Sequence, residues 1–89
     1  MLSIVYFDKK NPYWTKDLRV NEAYVSNVID YVHAKLNAGG HLYVSDICTM
    51  FGGELGLDDY NARFEASKRP RFMTQRFPET SEIKIVMCY

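Results

Sequence analysis

Asn21 to Asn37 reads NEAYVSNVIDYVHAKLN and is followed by Ala38-Gly39-Gly40. Val25, Val28, Ile29, Val32 and Leu36 fall at i, i+3, i+4, i+7 and i+11, one continuous apolar stripe at the helical period. The spacing predicts a helix over 21–37, with Asn21 as its cap and Glu22 in its first turn. Gly39-Gly40 supplies the stop, since glycine takes the left-handed conformation without steric cost.

On the N-terminal side, Leu2 to Phe7 is apolar and rich in β-branched and aromatic residues, which predicts a strand. It ends in the turn chemistry of Asp8-Lys9-Lys10-Asn11-Pro12. Tyr13-Trp14-Thr15 and Leu18-Arg19-Val20 fit either loop or short extended pieces. On the C-terminal side, His41 to Val44 predicts a short strand. Ser45 then caps a short helix that buries Ile47, Met50 and Phe51 and stops at Gly52-Gly53. Leu57, Tyr60 and Phe64, at i, i+3 and i+7, predict a third helix from 57 or 58 to about 67, closed by Pro70. Arg71–Phe77 and Glu82–Tyr89 are strand-like segments joined by Pro78-Glu79-Thr80-Ser81, a hairpin to which the N-terminal strand can add. In the second of these, Ile83, Ile85 and Met87 form the apolar face. The resulting order is strand, long helix, short strand, two short helices and a C-terminal hairpin. It predicts a small α+β domain of winged-helix-like architecture spanning residues 1–89 as one unit.

Composition narrows the function. In 89 residues, eleven Lys plus Arg balance eleven Asp plus Glu, which excludes a uniformly basic nucleic-acid binder and an acidic DNA mimic. Hydrophobic residues at 47 % and charged residues at 25 % are the mixture of a folded domain rather than a disordered tail. Neither a signal peptide nor a membrane span is expected, and Cys48 and Cys88 are too few for a disulfide scaffold. The expected location is therefore cytoplasmic, with reduced thiols.

The neutral total hides a local asymmetry. Between Arg63 and Arg76 lie Arg63, Lys68, Arg69, Arg71 and Arg76 against Glu65 alone, interleaved with Phe64, Phe72 and the adjoining Phe77. With Asn61 and Gln75, these basic residues suit phosphate contact and stacking on bases. The competing expectation is that the arginines form a solvated face and the phenylalanines are core. A recognition helix beginning at Asp58-Asp59, with Glu54 just upstream, would meet phosphates with the wrong charge. Tyr13-Trp14, next to Asn11-Pro12, suits a protein interface, where Tyr and Trp are enriched, unless Trp14 folds back to fill a small core. Cys48, His41 and Asp46 are close in sequence but make a poor catalytic set. The spacing of His33, His41, Cys48 and Cys88 matches no metal motif, and no glycine-rich loop matches a phosphate cradle.

The stretch Val28 to Gly52 runs helix, Gly-Gly, then His41-Leu42-Tyr43-Val44-Ser45-Asp46-Ile47 and a short helix ending in glycine. It is similar to a pattern in small phage and prophage proteins, which implies a viral or mobile-element origin and no particular reaction. The function expected from the sequence is a non-enzymatic protein-binding module without cofactor, catalytic residue or metal. Its partner is another protein or a second copy, met through Tyr13, Trp14 and Arg71. The alternative is a nucleic-acid-binding winged-helix variant using Asn61, Arg63, Lys68, Arg69, Arg71 and Arg76. Neither a membrane nor a small-molecule substrate is expected.

Overall fold

Alternation sets the central sheet. In the computed structural model, which describes residues 2–52 and 62–89, strand β1 (Leu2–Phe7) buries every second residue: Ser3, Val5 and Phe7. Strand β5 (Glu82–Cys88) does the same with Ile83, Ile85 and Met87. The two pair antiparallel, Leu2 opposite Cys88 and Phe7 opposite Ile83. Strand β4 (Arg71–Phe77) pairs with the other edge of β5, Arg71 opposite Cys88 and Phe77 opposite Glu82, giving the strand order β1-β5-β4. The C-terminal hairpin and the added N-terminal strand therefore form as the sequence predicts.

Helix α1 (Leu18–Asn37) lays Val25, Val28, Val32 and Leu36 into the core, and Ile29 is half-buried at its border. Its start differs from the expectation. Asp17 is the N-cap, its Oδ1 accepting from the Arg19 N–H at 2.9 Å, so the helix begins three residues before Asn21. Asn21 lies inside the first turn, and its side chain is spent elsewhere. At the far end Gly39 has φ +85°, and the N–H groups of Gly39 and Gly40 return to the carbonyls of Leu36 and Lys35.

Strand β2 is only Leu42–Tyr43, and helix α2 (Val44–Met50) follows it directly. Ser45 is not the cap. Asp46 Oδ2 accepts from the Tyr43 N–H at 2.9 Å, while the Val44 N–H donates to the Ala62 carbonyl at 2.9 Å, so Tyr43 is the N-cap and the helix starts two residues earlier. Val44, Ile47, Cys48 and Phe51 are buried, whereas Met50 is only partly so. Gly52 ends the segment with φ +73° and its Cα against the Asn11 side chain, where any Cβ would collide.

The third predicted helix is corrected where it is described. Arg63–Phe64 form strand β3, antiparallel to β2 with Phe64 opposite Leu42, and Glu65 and Lys68 close a tight turn through two mutual backbone hydrogen bonds. Phe64 is buried, as expected, but from a strand. Its helical spacing with Leu57 and Tyr60 gives way to pairing with Leu42, because both side chains reach the same core. Residues 57–61 of that predicted helix lie outside the described residues. The described chain is thus a mixed α+β fold in which α1 covers one face of an antiparallel sheet and the β2–β3 ribbon with α2 adds to the core.

Tyr24 ties the two helices together. Its hydroxyl donates to the Met50 carbonyl at 2.6 Å, and its ring stacks on Phe7 at 5.0 Å. Burial, and secondly the neighbouring Tyr13 phenol, push its pKa above the ordinary value of 10.0. The neutral form is thus favoured by folding. Its contribution is complete below pH ~10 and is lost as the pH rises through the raised value. The wild-type Tm is expected to fall more steeply than that of Tyr24→Phe above about pH 10, in thermal melts over pH 8–11. Parallel curves would remove Tyr24 as the titrating group.

Candidate functional site: the outer face of the sheet

The sheet has two faces, and α1 occupies one. Antiparallel partners point to the same side, so the register places Leu2, Cys88 and Arg71 in one outward row, Ile4, Val86 and Met73 in the next, and Tyr6, Lys84 and Gln75 in a third. Leu2 is 59 % exposed, Ile4 46 %, Tyr6 48 % and Met73 58 %, with Val86 half-buried between its neighbours. Single exposed apolar side chains are ordinary, but contiguous ones mark contact surfaces. The middle row is wholly apolar, with Lys84 next to it on one side and Arg71 on the other.

The sequence reading missed this surface, and its signal was present. Leu2, Ile4 and Tyr6 are apolar at one parity while Val5 and Phe7 are apolar at the other, so β1 is apolar on both faces. A strand of that kind ordinarily has cover on both sides. Among the described residues, the two helices leave these outward side chains exposed.

The residues expected to form sites are placed as follows. Trp14 folds back: it packs against the core, and its Nε1–H donates to the Ser81 carbonyl at 3.1 Å. Tyr13 is exposed and forms the outer ring of a stack with Tyr24 at 5.2 Å, beneath which Tyr24 stacks on Phe7. Arg71 projects from the outer face of β4, whereas Arg76, five positions on, projects from the inner face. There its Nη1 donates to Glu22 Oε1 at 3.2 Å. The Arg69 guanidinium bonds Asn37 Oδ1 and the Ala66 carbonyl. Arg63 is exposed on β3 and Lys68 in the turn after it. The basic segment is therefore spread over the two sheets and both faces of one. Asn61, Glu54, Asp58 and Asp59 lie outside the described residues.

Other constellations do not assemble. Cys48 is buried in the core while His41 and Asp46 are exposed, His41 set edge-on to Tyr43 and Asp46 engaged with the Tyr43 N–H. Among the described residues, no group of three or more His, Cys, Asp or Glu side chains is placed to hold a metal ion. No described helix is long and apolar enough to cross a membrane. A groove of about 330 Å³ runs between α1 and β4, floored by Val25, Ile29 and Ile83 and bordered by the Glu22–Arg76 pair.

Comparison of the chain with models of known protein families, with curated proteins and with solved structures finds no match.

Proposed function

We propose that this chain is a non-enzymatic protein-binding module whose docking surface is the outer face of the β1-β5-β4 sheet. The observation that carries this reading is the exposed row Ile4–Val86–Met73, flanked by Leu2 and Tyr6. Association buries apolar surface at ~25 cal/mol per Å², and this face offers apolar surface that folding has left in water. Lys84 and Arg71 set the chemistry of the partner: an apolar strip bordered by carboxylates on a second protein. Tyr13 and Trp14 then serve as packing for the α1 end of the fold, and Arg71 is the one residue of that expected interface that lies on the proposed face. The mobile-element origin implied by residues 28–52 agrees with a small adaptor acting on a host or viral protein.

A winged-helix nucleic-acid binder remains the alternative, supported by the order helix, short strand, helix, hairpin and by exposed Arg63, Lys68 and Arg71. Arg69 and Arg76 already have intramolecular partners, which leaves about three cations for phosphates. Such contacts would give a log K against log salt slope of roughly −3 on duplex DNA.

Capture from a native-host lysate tests the proposed surface. Met73→Asp places a carboxylate in the apolar row on a strand-edge position that the core does not use, so it is expected to reduce captured partner at least tenfold, while Tyr13→Ala leaves it within twofold. Equal capture by Met73→Asp and wild type would remove the outer face as the docking surface, and micromolar, salt-dependent DNA binding would favour the alternative.

A further inference from the structure

A cleft of about 730 Å³ lies between the C-terminal half of α1, strand β2 and helix α2, within the roughly 300–1,000 Å³ of ligand sites. Tyr31 and Lys35, one turn apart, line it from α1, and Asp46 and Met50, one turn apart, line it from α2. His41 and Tyr43 come from the chain that joins the two helices. None of these residues belongs to the outer face of the sheet.

The rings of the cleft are left over from the core. Tyr31, His41 and Tyr43 are exposed, whereas Leu42 between the last two is buried. His41 and Tyr43 meet edge to face, centroids 5.7 Å apart and planes at 86°, which braces the Tyr43 ring where it lines the cleft.

The charges beside the rings are held in place. Gly39 supplies the left-handed turn after α1, but Gly40 has another reason to be glycine. A Cβ there would stand 2.9 Å from Lys35 Cγ and 3.0 Å from the Lys35 carbonyl oxygen, so the bare backbone is what lets the Lys35 stem lie across it. Asp46 is fixed by the Tyr43 N–H on Oδ2, which leaves Oδ1 to accept from a ligand. Lys35 and Asp46 line the same cleft without forming an ion pair with each other. Arg63, exposed and opposite Tyr43 in the β2–β3 ladder, adds a second cation on Tyr43's side of the ribbon.

From this set of groups we infer that the cleft binds a nucleoside monophosphate. Its base stacks on the tyrosine rings, a base amino group donates to Asp46 Oδ1, and its phosphate pairs with Lys35, with Arg63 beside it. Other ligands meet fewer of these groups. A carboxylate pairs with Lys35 and leaves the rings unused, and a phenyl phosphate brings a ring and an anion but no donor for Asp46. One phosphate needs one or two cations, which the cleft has, whereas a nucleic-acid strand needs a row of them.

Calorimetric titration of the full chain at low salt, with AMP as the probe, tests the site. AMP is expected to bind more tightly than about millimolar. Ribose 5-phosphate, which lacks the base, and phenyl phosphate, which lacks the amino group, should each bind at least fivefold more weakly. Tyr43→Ala should weaken AMP about tenfold through lost stacking, and Lys35→Gln at least fivefold through the lost phosphate contact. Arg71→Gln, on the outer face of the sheet, should leave the affinity within twofold. If Tyr43→Ala fails to fold, as judged by its thermal melt, Tyr31→Ala replaces it and should weaken AMP at least threefold. Absence of AMP binding at about millimolar overturns the inference, as does phenyl phosphate or ribose 5-phosphate binding as tightly as AMP. So does an AMP affinity indifferent to Lys35→Gln and the tyrosine variant, or one that Arg71→Gln lowers as much as Lys35→Gln. A single-stranded deoxyadenylate octamer that binds where AMP does not also overturns it, in favour of a strand.

Discussion

Replacing Asn21 by alanine is expected to cost about 3 kcal/mol and to lower Tm by roughly 10–20 °C. Asn21 is fully buried in the first turn of α1, and its amide is saturated. Nδ2 donates to the Thr15 carbonyl at 2.8 Å and to the Ser81 carbonyl at 2.7 Å, and Oδ1 accepts from the Thr15 N–H at 2.9 Å and the Thr15 hydroxyl at 3.1 Å. These bonds join the loop after β1, the start of α1 and the turn of the β4–β5 hairpin. Ser81 sits in that turn at φ +59°, donates its hydroxyl to the Lys16 carbonyl at 2.8 Å and offers its own carbonyl to Trp14 as well. Alanine removes the hub and leaves the Thr15 N–H and carbonyl to find other partners in a part-buried region, while the Ser81 carbonyl keeps only Trp14, at ~1–3 kcal/mol for each group that fails. Asn21→Asp should be at least as damaging, since it deletes both donors and buries a charge. Urea denaturation of the two variants measures this, and a loss below 1 kcal/mol for Asn21→Ala would mean that the hub does not hold the hairpin.

Phe64→Ala should cost about 3–5 kcal/mol, of the same order as the whole stability of a domain this small. Phe64 is completely buried although its strand is two residues long. Its ring meets Tyr89 edge-to-face at 5.2 Å, and the Tyr89 hydroxyl is 2.8 Å from Ser3 Oγ on β1. Through that chain of contacts the short β2–β3 ribbon is fastened to the main sheet. Truncation opens a cavity where ribbon and sheet meet, and two backbone-paired residues cannot hold the ribbon alone. Urea midpoints for Phe64→Ala and Phe64→Leu should separate by at least half of the alanine effect, because leucine refills most of the space. Equal midpoints near wild type would place the anchoring elsewhere.

The long helix and β5 were legible because each carries a clean period over six or more residues, and β1 because an apolar run rich in β-branched and aromatic residues ends in turn chemistry. Gly39 and Gly52 were legible as stops because a left-handed backbone favours glycine. Asn21 was misread for a physical reason: a buried amide satisfied by groups at positions 15 and 81 looks in sequence like a local cap. The Arg63–Phe64 strand was hidden by its length, since two residues hold no period and Phe64 also fits a helical spacing. The basic segment looked coherent because its residues are consecutive. Strand alternation sends Arg71 and Arg76 to opposite faces, and Glu22 from α1 takes up the second. The outer face escaped notice because its rows come from three strands separated in sequence, and their adjacency appears only once the register is known.

One geometric fact links stability to function in this fold. The groups that a small domain needs for its own core, Trp14 and Tyr24 among them, pack on the side of the sheet that α1 covers, and the apolar side chains left over line the opposite side. The most direct measurement is amide hydrogen exchange on the captured complex compared with the free chain. The outer-face account predicts new protection confined to residues 2–6, 71–75 and 84–88, with the solvent side of α1 and the Tyr13 loop unchanged. Protection centred on Tyr13 and α1, with those strands exchanging as in the free chain, would contradict it.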